Sequence, residues 1–96
     1  MSKTIYISGA MTGVENYKHE FNYAADKLLA EGHKVVNPAY IDDVIPKADY
    51  EYYMKADMLL LSICDAIYML KGWEKSRGAN REYGYALAKG MDIIFE

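Results

Sequence analysis

Short apolar runs rich in β-branched residues alternate with helical segments along the whole chain, and that alternation leaves few folds open. Ile5-Tyr6-Ile7-Ser8-Gly9 reads as a strand ending on a glycine, followed by the small-residue connection Ala10-Met11-Thr12-Gly13. From Glu15 to Glu31, Phe21, Ala24, Ala25, Leu28 and Leu29 recur at helical spacing, and Gly32 supplies a stop. A second strand spans His33 to Asn37 and is closed by Pro38; a loop containing Pro46 then runs to about Ala48. Tyr50 to Asp65 is expected to be helical, and Ala66 to Leu70 is an almost unbroken apolar strand of the kind covered on both faces. Lys71 to Lys75 form a loop, Ser76 to Lys89 a third helix ended by Gly90, and Met91 to Phe95 a last strand.

The order is βαβαβαβ. Parallel strands need crossovers, and crossovers are right-handed, so the expected fold is a flavodoxin- or Rossmann-like three-layer α/β sandwich around a parallel sheet. Ligands in such sheets bind outside the carboxyl ends of the strands, near the point where strand order reverses. The loops after Ile7 and Leu70, together with the one after Asn37, should therefore surround one crevice.

Size and charge narrow the partners. At 96 residues, 52% of them hydrophobic, the chain is expected to form one domain over residues 1–96. The formal net charge is -3 and the 11 basic residues are scattered, which argues against a polymeric nucleic-acid partner. The lone Cys64 excludes an internal disulfide, and the start Met1-Ser2-Lys3-Thr4 lacks a secretory signal, so a cytoplasmic location is expected. No apolar run approaches the roughly 20 residues needed to cross a bilayer. His19 and His33 lack ligand-like spacing, and neither a Walker A sequence nor Gly-x-Gly-x-x-Gly occurs; no metal or cofactor is expected.

Two acids stand where acids are costly. On the second helix Asp57 falls within the stripe Tyr50, Tyr53, Met54, Leu60, Leu61 and Cys64; on the third, Glu82 shares a side with Gly78, Ala79, Tyr85 and Ala86. A buried, unpaired carboxylate costs several kcal/mol, so each must be hydrogen-bonded, protonated or reached by a cavity. For Asp57 the structural reading is a bond to a tyrosine hydroxyl or a helix end. For Glu82 it is an ion pair with Arg77, Arg81 or Lys89, or simple snorkelling to solvent. The functional reading for both is a site. Ser76 and Gly78 open the third helix with Lys75 and Arg77 beside them, which suits either a phosphate or a plain N-cap. Trp73 suits either base stacking or a subunit contact, Tyr6 faces either core or crevice, and Cys64 reads as packing.

The segments Ile5-Tyr6-Ile7-Ser8-Gly9-Ala10-Met11-Thr12-Gly13, Ala56-Asp57, Cys64-Asp65-Ala66-Ile67-Tyr68 and Gly72-Trp73-Glu74-Lys75-Ser76-Arg77-Gly78-Ala79-Asn80-Arg81-Glu82 carry a resemblance. Together they resemble small bacterial and phage domains related to nucleoside 2-deoxyribosyltransferases and deoxynucleoside 5′-monophosphate N-hydrolases. The resemblance implies a nucleotide N-glycosidase or deoxyribosyltransferase. It implies Glu82 as the nucleophile at C1′, Asp57 as the acid for the leaving base, and Tyr6 as the hydroxyl that orients the nucleophile. Ser8, Gly9, Met11 and Gly13 would then contact the nucleotide from the first loop, and Ser76, Arg77 and Gly78 its phosphate, with Trp73 near the base. The resemblance also implies a homodimer or a dimer of dimers. The transferases carry an acid after the third strand where this chain has Lys71-Gly72-Trp73-Glu74. The alternative on the same fold is a non-catalytic nucleotide-binding module that senses or sequesters its ligand, ADP-ribose-type ligands included.

Overall fold

The computed structural model describes residues 2–40, 44 and 49–96. Four strands, β1 (Thr4–Ser8), β2 (Lys34–Val36), β3 (Ala66–Met69) and β4 (Asp92–Phe95), alternate with three helices, α1 (Tyr17–Ala30), α2 (Tyr50–Ser62) and α3 (Arg77–Lys89). The expected element order is present, with short 3-10 turns at Pro38–Tyr40 and Trp73–Lys75. The remainder of the loop predicted after the second strand, with Pro46, lies outside the described residues.

All strands are parallel, in the order β2-β1-β3-β4. β1 pairs with β2 through Ile5↔Val35 and with β3 through Tyr6↔Ile67, so the two central strands are β1 and β3. The chain steps outward through α1 to β2, then crosses back over β1 through α2 to reach β3. The reversal falls between the carboxyl ends of β1 and β3.

Alternation along the central strands divides the core. Ile5, Ile7, Ala66 and Tyr68 pack under Phe21, Ala24 and Leu28 of α1. Tyr6, Ile67 and Met69 pack on the other face with Leu61, Ala79 and Ala86 of α2 and α3. Burial on both faces explains why the central strands carry few polar residues.

Local chemistry sets the ends. Past α1, His33 N–H bonds the Leu28 carbonyl at 3.1 Å and Gly32 N–H the Leu29 carbonyl at 3.0 Å, a Schellman closure that the left-handed Gly32 permits. Asp49 caps α2 by accepting from Tyr52 N–H at 2.9 Å, and Ser76 caps α3 by accepting from Ala79 N–H at 3.1 Å. The second helix stops at Ser62, short of the predicted Asp65, because the sheet captures that residue. Asp65 N–H donates to the Thr4 carbonyl at 2.8 Å, and its carboxylate accepts from Thr4 N–H at 2.9 Å. Beyond the strands, Gly9 packs against Leu70 so closely that a Cβ there would lie 2.9 Å from the leucine Cβ. The glycine lets the two strand ends meet at the reversal point.

Among the described residues no helix is long and apolar enough to cross a membrane.

Candidate active site

β1 supplies hydroxyls to the site by the period of a strand. Tyr6 and Ser8 alternate with Ile5 and Ile7, so both turn toward α3, away from the α1 core. α3 supplies Glu82 from its small-residue face, where Ala79 and Ala86 bring the helix close to the sheet. The three side chains meet. Tyr6 Oη donates to Glu82 Oε2 at 2.6 Å and Ser8 Oγ donates to Glu82 Oε1 at 2.7 Å. Tyr6 is 0%, Ser8 1% and Glu82 5% exposed, so these bonds lie almost beyond the reach of water. None of the predicted basic partners holds Glu82 in an ion pair. Arg81 bonds Glu51 at 3.0 Å across to α2, Arg77 lies 4.4 Å over the Tyr50 ring, and Lys89 donates to the Ser62 carbonyl.

Burial pushes the Glu82 carboxyl pKa up, while the hydrogen bonds from Tyr6 and Ser8 and the Arg81 charge pull it back. The Tyr6 phenol is raised well above its ordinary 10.0, first by its own burial, then by the charges of Glu82 and Asp57. Asp57 is therefore electrostatically coupled to the same phenol from α2. It is only half-buried, so the deeper of the two acids is Glu82.

Glu82, Tyr6 and Asp57 share one cleft of about 1150 Å³, which opens at the carboxyl ends of β1 and β3. Gly9 and Met11 line it from the first loop, and Ser76, Arg77 and Gly78 line it from the start of α3. Ser76 uses its hydroxyl as the N-cap, which leaves the Arg77 and Gly78 amides outside the helical ladder. An anion could be held there, with Lys75 and Arg77 on the same rim. Ser8 supports Glu82 and is not a lining residue. Gly13 is exposed beyond the cleft, in a left-handed turn. Trp73 packs against Tyr83, ring centroids 4.6 Å apart, and Phe95, outside the cleft lining. Cys64 is packed, and burial raises its thiol pKa. Sequence reading passed over Tyr50 and Met54 as site walls and Ser8 as a donor to Glu82. The i, i+2 spacing of Tyr6 and Ser8 was the available signal for the last. Among the described residues no three His, Cys, Asp or Glu side chains converge as a metal site.

A buried carboxylate held by two hydroxyls, sharing a cleft with a second acid at the reversal point of an open parallel sheet, defines an α/β domain with a two-acid cleft. Residues 3–95 match the family model DUF4406, described as a domain of unknown function, and the chain belongs to that family. No curated protein matches it. A solved structure, a 2-deoxyribosyltransferase from the psychrotolerant bacterium Bacillus psychrosaccharolyticus, superposes with a TM-score of 0.72 at 19% identity, covering 96% of this chain and 70% of its own. The likeness is one of fold.

Proposed function

We propose that the protein is an N-glycosidase or deoxyribosyltransferase acting on a (deoxy)nucleoside 5′-monophosphate. The observation that carries the reading is the Glu82 carboxylate, buried and double hydrogen-bonded, facing the same cleft as Asp57. In the first step a Glu82 oxygen attacks C1′ of the sugar and the C1′–N bond breaks. Its electron pair leaves with the base, which takes a proton from Asp57. In the second step water, or the nitrogen of a second base, adds to C1′ as Asp57 recovers a proton and the Glu82 ester bond breaks. Splitting the displacement in two lowers each barrier, and acid assistance to the leaving group contributes roughly 10²–10⁴-fold. The hydroxyls of Tyr6 and Ser8 favour the charged nucleophile against its burial. The free amides at the start of α3, with Lys75 and Arg77, favour a substrate bearing a 5′-phosphate.

A homo-oligomer belongs to the same proposal. Leu59 on α2 and Ile63, just past its last residue, are each 71% exposed, and apolar side chains turned away from the core suit burial against a partner. Sedimentation of the protein gives the answer directly.

The decisive experiment incubates the protein with a panel of ribo- and deoxyribonucleoside 5′-monophosphates, assays free base, and looks for a glycosyl adduct on Glu82 by mass spectrometry. Glu82→Ala should abolish base release while retaining nucleotide binding. Tight nucleotide binding without base release from any substrate would instead favour a sensor or sequestering module.

A further inference from the structure

β1 brings two hydroxyls to Glu82 where one would satisfy the need for a partner. A carboxyl group held at a single oxygen can turn about its last torsion, which is broad and roughly twofold. Donors on both oxygens, at 2.6 Å from Tyr6 and 2.7 Å from Ser8, fix its plane. Packing does not call for a hydroxyl at residue 8: apart from Tyr6 and Cys64, the buried side chains clustered on that face of the sheet, Ile67, Met69, Leu61, Ala79 and Ala86, are apolar. The hydroxyl is explained by its acceptor.

We propose that Ser8 is a positioning residue for Glu82, whose hydroxyl acts with that of Tyr6 to hold the carboxylate in one plane and in its ionised form. This role rests on the reading of Glu82 as the nucleophile and moves Ser8 from nucleotide contact to support of the attacking group. The lone pairs not used by the two hydroxyls remain for the sugar carbon. The titratable groups that act on this carboxylate are Tyr6 on β1 and Arg81 on α3, while Asp57, Tyr50 and Tyr53 of α2 and Lys75 and Arg77 at the rim line the same cleft. The guanidinium of Arg81 is engaged by Glu51, so it is not placed to replace a lost serine donor.

The test is a series of Ser8→Ala, Ser8→Cys and Ser8→Thr, with the Glu82 carboxyl followed by carbon-13 NMR and assigned by its loss in Glu82→Gln. In Ser8→Ala the Glu82 titration should move up by about one to two pH units, the worth of one hydrogen bond to a charged group. Ser8→Cys, a weaker donor, should fall between, and Ser8→Thr, which keeps the hydroxyl, should titrate with the wild type. In base release, Ser8→Ala should lower kcat about 10- to 100-fold with KM little changed, and the acid limb of its pH profile should follow the NMR titration. An unmoved Glu82 titration in Ser8→Ala, or in Ser8→Cys should the alanine variant not fold, overturns the proposal. A shifted titration in a protein whose wild type releases no base from any nucleotide supports the serine's hold on Glu82 and defeats the glycosyl chemistry, so the two failures are distinguishable.

Discussion

Gly78→Ala should separate stability from ligand binding. Gly78 sits in the first turn of α3 with ordinary helical backbone, so alanine there is favoured by at most about 1 kcal/mol. Its Cβ would lie 3.2 Å from Met54 Sδ, 3.6 Å from Tyr50 Oη and 3.9 Å from Ser76 Oγ. Only the first contact is tight, and a thioether can retreat by a few tenths of an ångström while forfeiting contacts of roughly 0.1–0.2 kcal/mol each. The net change in stability is therefore about 0 to 1 kcal/mol in the favourable direction. For a domain of this size that raises Tm by no more than about 4–8 °C.

Binding should move the other way. The same methyl fills the wedge between the Tyr50 and Ser76 hydroxyls, over the amide proposed to hold a phosphate oxygen. Displacing the anion costs one hydrogen bond to a charged group, about 1.5–3 kcal/mol, which weakens the Kd roughly 10- to 100-fold. Calorimetric titration with a nucleoside 5′-monophosphate and with the matching nucleoside, alongside thermal unfolding by circular dichroism, makes both measurements. The monophosphate should suffer far more than the nucleoside. A variant with unchanged or raised Tm and undiminished monophosphate affinity would refute the phosphate position. One that loses more than about 3 kcal/mol of stability would show that Gly78 is a packing glycine.

Glu82→Gln should raise Tm at neutral pH while abolishing turnover. The folded pKa of Glu82 is raised by burial, so the native state keeps that proton to higher pH than the unfolded chain, and stability falls as pH rises through the folded value. The glutamine variant lacks this fall, so its advantage should vanish below the ordinary value of 4.5; an advantage that persists there contradicts the reasoning. Gly9→Ala should cost roughly 1–3 kcal/mol in a urea titration, since its Cβ would press within 2.9 Å of Leu70, and an unaltered midpoint would count against the close approach of β1 and β3. Trp73→Ala should lower stability by less than the roughly 3–5 kcal/mol of a fully buried tryptophan and leave nucleotide affinity nearly unchanged, because the ring packs on Tyr83 and Phe95; a selective loss of affinity would return it to the ligand site.

Much of the site was legible because carboxylates are expensive on apolar faces. Glu82 stood out among Gly78, Ala79 and Ala86, and Asp57 among Tyr53, Met54 and Leu61, without any coordinates. Their relative depth was not legible. A helical stripe gives the direction of a side chain but not the distance to the sheet beneath it, and α3 approaches β1 closely enough to bury Glu82 while α2 leaves Asp57 at the cleft wall. Trp73 was ambiguous for the same reason, since its partners Tyr83 and Phe95 come from α3 and β4. The second helix looked longer than it is because Cys64 and Asp65 continue its local pattern, whereas the bonds between Asp65 and Thr4 belong to the sheet.

By itself the sequence determined the order of strands and helices, since apolar periodicity, caps and the stops at Gly32 and Gly90 act within a few residues of one another. Tertiary structure alone decided that β1 sits between β2 and β3, and that Tyr6 and Ser8 converge on an acid more than seventy positions away. Hydrogen bonds of that kind depend on how helix and sheet pack, and packing is a property of surfaces brought together in three dimensions rather than of neighbours along the chain.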